Sequence, residues 1–341
     1  MFGTTITGVS AWARKAAMIS AMAGALLAPG LARAEDMMSI PRAPWSFAGM
    51  TGAYDKAQLQ RGFKIYKEVC SGCHSLRLMK YRNLAEEGGP GFTEGQVKTL
   101  IKDVTFDTID KDGNSTDKTG KPLQRPAQLA DAFKAPFANE LAAKAANGGA
   151  LPPDLSLMAR ARLAASDTPL FLTPFHWLYE IAHGYQEGGP DYIHALLTGF
   201  KDKAPAYAKD AAGHLTVIPE AQATKDSLRC SSVTPGETGD DGKPKPDECT
   251  PLSDGLYYNT VFPGHQIHMP PPLASDGQVT YTDGAKTTVD QYARDISAFL
   301  MWTADPTLEE RKDTGLRMMI YLLILAGLLW LAKRQIWSKL H

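Results

Sequence analysis

One five-residue stretch, Cys70-Ser71-Gly72-Cys73-His74, constrains this chain more than any other. Cys-x-x-Cys-His is the attachment pattern of a c-type haem. The two thiols add across the haem vinyl groups, and the imidazole that follows reaches the iron from one side. The rest of the chain then has to hold, tune and deliver that haem. Four cysteines in 341 residues can also fall at this spacing by chance. A bare Cys-x-x-Cys serves equally as a redox dithiol or as half of a zinc site. Compartment, second axial ligand and the fate of the other two cysteines decide between these readings.

Compartment is read from the N-terminus. Arg14 and Lys15 precede the mostly apolar run from Ala16 to Leu27, and Ala32-Arg33-Ala34 follows as a small-x-small cleavage pattern. These are the parts of a secretory signal peptide over 1–34, with a mature chain from Glu35. An uncleaved anchor needs a longer apolar run. Export permits disulfides and suits covalent haem attachment. The exported body, 35–305, carries 27 basic and 34 acidic residues, a net charge of −7. That balance favours a basic protein partner, disfavours nucleic acid, and also serves simple solubility.

Asp55 to Cys70 reads as a helix that runs into the motif, with Leu59, Phe63 and Tyr66 on one apolar stripe. Gly62 lies inside it and permits a close helix crossing, or is merely tolerated. Arg77 to Phe92 reads as loop, with the acidic pair Glu86 and Glu87; Thr93 to Val104 reads as a short helix. Asp107 to Pro126 reads as loop, and its Asp110-x-Asp112-Gly113 pattern lacks the spacing and terminal Glu of a calcium loop. Ala127 to Ala146 has helical propensity, interrupted at Pro136.

Next comes Ala150-Leu151-Pro152-Pro153-Asp154-Leu155-Ser156, a stiff segment in which Asp154 is placed to cap a following helix. That helix carries Arg160 and Arg162. Guanidinium groups bind carboxylates such as haem propionates; composition alone favours surface arginines. Ser166 to Gly189 is rich in aromatic residues and includes His176 and His183, whose spacing suits a packed core or interface rather than zinc. Tyr192 to Gly199 reads as a short helix.

From about 201 to 255 the chain becomes polar, rich in Gly, Pro, Asp and Lys, without apolar periodicity. A loop this long needs a staple. A Cys230–Cys249 disulfide supplies one and closes the cysteine arithmetic. Beyond it lies His265-Gln266-Ile267-His268-Met269-Pro270-Pro271-Pro272. Met269, held against a proline run, suits a thioether ligand and a raised potential; His265 and His268 are rival ligands that would lower it. Thr287 to Ala304 is an amphipathic helix with Thr288 and Gln291 at its start. A terminal helix on each side of a haem core is the arrangement of small class I c-type cytochromes. The fold is therefore read as mainly α: an enlarged class I c-type cytochrome domain with long loops, plus one C-terminal transmembrane helix. Met318 to Ala332 is continuously apolar, with Lys333 and Arg334 at its end, and 306–341 is read as that anchor with a short tail. A signal peptide then puts the haem domain outside and the tail in the cytoplasm.

The chain is similar to the cytochrome c1 family, the haem subunit of the bacterial cytochrome bc1 complex, a ubiquinol–cytochrome c oxidoreductase. The residues that carry the resemblance are Cys70 to His74, Asn147 to Ser156 with Arg160-Ala161-Arg162, Tyr257-Tyr258-Asn259 with Phe262-Pro263-Gly264, Met269 to Pro272, and the single C-terminal anchor. The resemblance implies one haem c bound through Cys70 and Cys73, with His74 and Met269 as axial ligands. It also implies Pro152 and Arg162, with Arg160 beside them, as further cofactor-binding residues, Arg162 at the propionate. The implied role is an electron relay from the Rieske iron–sulfur subunit to a cytochrome c, beside cytochrome b in a dimeric complex of the bacterial inner membrane; the chain alone is no enzyme. Two other readings stay open. One is an independent membrane-anchored cytochrome c that donates to a terminal oxidase. The other is a haem peroxidase, which needs an open iron position. No nucleophile–base constellation supports hydrolysis.

Overall fold

The computed structural model describes residues 40–162, 175, 187–225, 227–236 and 245–338. The chain divides into Met1–Met37 and Met38–His341. The first unit, with the signal-peptide reading, lies outside the described residues, as does most of Ser166 to Gly189, including His176 and His183.

Two helices form the frame. Helix α1, Lys56–Glu68, is capped by Asp55, whose carboxylate accepts from the Ala57 and Gln58 N–H groups. Its stripe of Leu59, Phe63 and Tyr66 is buried. Later in the chain, Val289–Ala304 forms the long helix that crosses α1, with Thr288 accepting from the Gln291 N–H. The crossing is close because Gly62 has no side chain: a Cβ there would strike the Asp295 carbonyl and lie 2.5 Å from Phe299 Cβ. Phe63, Tyr66, Phe133, Phe299 and Trp302 fill the core at ring-centroid separations near 6 Å. At the rim of this crossing, Arg61 pairs with the buried Asp295 at 2.9 Å.

Between these two lie shorter elements. Helix α2 is Glu94–Leu100, with a Thr93–Gln96 capping box. Strands β1, Thr105–Asp107, and β2, Gln124–Pro126, pair antiparallel. The stretch expected as loop is thus a hairpin, with Asp110 accepting from the Asp112 and Asn114 N–H groups at its turn. Helix α3 is confined to Glu140–Ala146. The helix expected from Ala127 does not form, because tertiary pairing takes its backbone: Phe133 N–H donates to Met79 O, and Leu129 O accepts from Arg82 N–H. Helices α4, Met158–Ala161, and α5, Gly188–Thr198, complete the globular layer with α6, the long helix already described at Val289–Ala304.

The polar insertion is a small β region. Strands β3, Phe200–Lys201, β4, Ala206–Lys209, β5, Leu215–Ile218, β6, Leu228–Arg229, β7, Ser232–Thr234, and β8, Glu248–Thr250, lead to β9, Tyr257–Asn259, and β10, Gln266–Ile267. They form sheets ordered β10-β9-β3, β5-β4-β6 and β7-β8. Strands of two to four residues are too short to show a period of two in sequence. A disulfide joins Cys230 to Cys249.

Helix α7, Leu308–Trp337, has 30 residues, about 45 Å of rise. Its apolar stretch has a mean hydropathy of 2.0 and none of it is buried within the protein, so it is no core helix. Length and composition suffice to cross a hydrocarbon layer of about 30 Å. Lys333 lies over the Trp337 ring and Arg334 over Trp330 near its end, the amphipathic pairing of a membrane interface.

Candidate haem site

Helix α1 delivers its last turn straight into the motif. Cys70–Gly72 forms a single 3-10 turn. The N–H groups of Cys73 and His74 both donate to Cys70 O, at 3.1 and 2.9 Å. Both thiols and the imidazole therefore hang on one tight loop of backbone. Tyr66 Oη closes it from α1 by donating to His74 O at 3.2 Å.

The proline-rich segment then docks along the residues after the motif. His74 Nδ1 bonds Pro153 O at 2.8 Å. Asp154 accepts from Ser75 Oγ at 2.7 Å and from the Arg77 N–H at 2.9 Å. The Leu155 N–H donates to Ser75 O at 2.9 Å, and Ser156 Oγ accepts from the Leu78 N–H at 3.1 Å. Asp154 does not cap helix α4 as expected; its carboxylate serves backbone some 77 residues earlier. Burial pushes Asp154 up, but the bonds from Ser156, Arg77 and Ser75 outweigh it and hold the carboxyl below its usual value. Burial pushes His74 down, against the Pro153 bond and the Asp154 charge, and so favours the neutral imidazole. Neutral imidazole is the form that ligates a metal.

These residues fit a c-type haem. A carbonyl only accepts, so Nδ1 of His74 carries the proton and Nε2 keeps its lone pair for iron. Cys70 and Cys73 stand outside any disulfide and so keep their sulfurs for haem, while Cys230 and Cys249 are joined to each other. Among the described residues no group of three or more His, Cys, Asp or Glu is arranged to hold a metal ion.

The other expected residues lie as follows. Met269 follows β10 and is half-buried, whereas His268 is exposed. His265 sits at a positive φ of 57°, and its Nδ1 bonds Asn259 O at 3.1 Å. The strand before Met269 is moored to the insertion, for Gln266 Nε2 donates to Ser231 Oγ at 2.8 Å, beside Cys230. Pro152 is half-buried just ahead of Pro153. Arg162 caps the end of α4 and is exposed, with no ion pair among the described residues; it lies near enough to Tyr192 to offset part of the upward push of burial on that phenol. Arg160 points elsewhere, to Asp305 at 3.0 Å and Glu187 at 3.5 Å. Sequence reasoning missed Pro153 and Ser156 as parts of the site. Their adjacency to Asp154 was the available signal, but their partners are distant in sequence.

A single-turn thiol pair, a neutral imidazole aimed by a carbonyl and one long apolar helix at the far end together define a c-type cytochrome. The family model described as "Cytochrome C1 family" matches residues 45–340. Similar proteins include cytochrome c1 of Rhodospirillum rubrum, 36% identical over 94% of each chain. That of Blastochloris viridis is 38% identical over 86% of this chain and 84% of its own. A cytochrome b/c1 of Bradyrhizobium diazoefficiens is 41% identical over 88% of this chain, which spans 36% of that protein's length. The chain belongs to the cytochrome c1 family. Like its relatives it carries one covalently attached haem c and serves respiratory electron transport.

Proposed function

We propose that this chain relays single electrons from a Rieske iron–sulfur subunit to a cytochrome c, within a dimeric quinol–cytochrome c oxidoreductase that also holds cytochrome b. The observation that carries the reading is the His74–Pro153 bond, which aims one axial nitrogen from the same turn that bears both thiols. Met269 is the proposed opposite ligand, half-buried on a proline-stiffened arm. Arg162, free of ion pairs among the described residues, is the proposed propionate partner, and Pro152 is a further proposed cofactor-binding residue. Bound haem supplies an iron that cycles between two oxidation states, one electron at a time. With His74 and Met269 both holding the haem iron, no iron site would be left for a substrate, and the group would pass electrons only. The domain is read as an enlarged class I cytochrome of the periplasm, released from its signal peptide at about residue 35 and anchored by α7 in the bacterial inner membrane, with the tail in the cytoplasm. The name cytochrome b/c1, carried by the Bradyrhizobium relative, supports a partnership with cytochrome b.

Purification in mild detergent tests this. Cytochrome b and a Rieske protein should accompany the chain, ubiquinol should reduce its haem, and carbon monoxide should leave the reduced spectrum unchanged. A haem protein that purifies without those subunits, or that binds carbon monoxide strongly, overturns the reading.

A further inference from the structure

Asp305 stands between the last residue of α6 and the head of the apolar helix α7. It is 5% exposed, and its Oδ2 accepts from Arg160 Nη1 at 3.0 Å and from Arg311 Nη2 at 2.6 Å. Arg311 belongs to the first turn of α7, whereas Arg160 belongs to α4. Around this carboxylate, Tyr54 Oη donates to Asp305 O, the Tyr54 N–H donates to Glu309, and Lys312 Nζ donates to Phe47 O and Gly52 O. Glu187 takes the other side of Arg160 at 3.5 Å. A collar of alternating charge thus joins the root of α7 to the globular layer.

Its importance lies in what α4 carries. Helix α4 has four residues, too few to hold a helical shape unaided. Its shape is imposed from outside. On one side Gly189 lets α5 approach so closely that a Cβ would collide with the Ala159 carbonyl. On the other, Arg160 is tied to Asp305. The same short stretch starts at Pro153, which aims His74, and ends at Arg162. We infer that Asp305 is a positioning residue for the haem: through Arg160 it fixes α4, and with it the guanidinium of Arg162, relative to the membrane helix. The inference rests on the reading of Arg162 as the propionate partner.

Positioning and plain Coulomb effects predict opposite signs. Loss of a buried negative charge favours the reduced iron by direct electrostatics and raises the midpoint potential. Loss of the clamp instead frees Arg162 from a propionate, leaves that carboxylate uncompensated, and lowers the potential. The test is redox titration of the membrane-bound full-length protein. Asp305→Asn should lower the midpoint potential, in the direction of Arg162→Gln, and should add no further fall in the Arg162→Gln background. Asp305→Glu should restore much of the loss. Arg160→Lys keeps the charge but loses the planar fork, so it too should lower the potential; it carries the test if Asp305→Asn fails to accumulate. A rise with Asp305→Asn, no shift with Arg160→Lys, or full additivity with Arg162→Gln overturns the inference. No shift with Arg162→Gln itself overturns the propionate reading beneath it.

Discussion

The Nδ1 of His74 donates its proton to the carbonyl of Pro153 across 2.8 Å. The two residues are 79 apart in sequence, and neither is placed by its own element alone. His74 hangs from the turn that ends α1, and Pro153 is held by the docking of Asp154, Leu155 and Ser156 onto Ser75, Arg77 and Leu78. A hydrogen bond of this kind fixes a ligand's tautomer and ring angle and raises its basicity. Proline suits the acceptor position, since its fixed φ stiffens the loop while its carbonyl remains free to accept.

Asp154 is the pin of this docking. Asp154→Ala removes the acceptor of the Ser75 hydroxyl and of the Arg77 and Ser156 N–H groups. A loss of about 2 kcal/mol is expected from charge-assisted bonds of this kind, measured as a lower guanidinium midpoint followed by haem absorbance. The pH dependence has a definite sign. The carboxyl is held below its usual 3.8, so its contribution is complete above that value and is lost as pH falls through the lowered one. The acid transition of Asp154→Ala should therefore lie at higher pH than that of the parent.

What was legible in sequence was local. The stripe Leu59, Phe63 and Tyr66 and the Thr288 cap follow from the helical period and from capping chemistry, and the structure buries the one and bonds the other. What was illegible depended on distant partners. The chemistry of Asp154, a carboxylate that accepts backbone N–H groups, was readable, but not that the donors come from the haem-motif side. By composition alone Arg160 and Arg162 look equivalent, and only the fold shows that Asp305, 145 residues beyond Arg160, claims one of them. The stretch from Ala127 has alanines suited to a helix, yet its carbonyls and N–H groups go to Arg82 and Met79. Propensity is worth a few tenths of a kcal/mol per residue, and tertiary pairing overrides it.

Gly62 allows α1 and α6 to cross. Gly62→Ala gains about 1 kcal/mol of helix propensity. It also drives a methyl group into the Asp295 carbonyl and Phe299 Cβ, which belong to a buried helix and cannot swing away. Overpacking at such a site costs up to about 3 kcal/mol. A net destabilisation of roughly 2 kcal/mol is expected in chemical denaturation, with the reduced haem spectrum unchanged below the transition.

The Cys230–Cys249 disulfide closes a loop with a sequence separation of 19. Replacing both cysteines by alanine should cost the insertion about 3 kcal/mol and expose 201–255 to limited proteolysis. The effect should extend further, because Ser231 holds Gln266, three residues ahead of Met269. The midpoint potential should fall in the double variant, while covalent haem content stays the same.

Met269 gives the sharpest test of the ligand set. Its arm leaves β10, runs into Pro270, Pro271 and Pro272, and keeps the thioether half-buried. Iron–thioether bonds are weak, so such a ligand depends on an arm held in place before the bond forms. Thioether ligation stabilises the reduced iron relative to a second imidazole and raises the potential. Met269→Leu keeps the volume of the side chain and removes the sulfur. Haem should remain attached through Cys70 and Cys73, the sulfur-to-iron charge-transfer band of the oxidised protein should vanish, and the potential should fall. If the band persists, the sulfur comes from elsewhere; if the spectrum becomes that of two imidazoles in the parent protein itself, His265 or His268 takes the position instead. His268 is exposed whereas Met269 is half-buried; His265 is half-buried as well, and its Nδ1 bond to Asn259 O leaves Nε2 free, so the spectrum is what separates it from Met269.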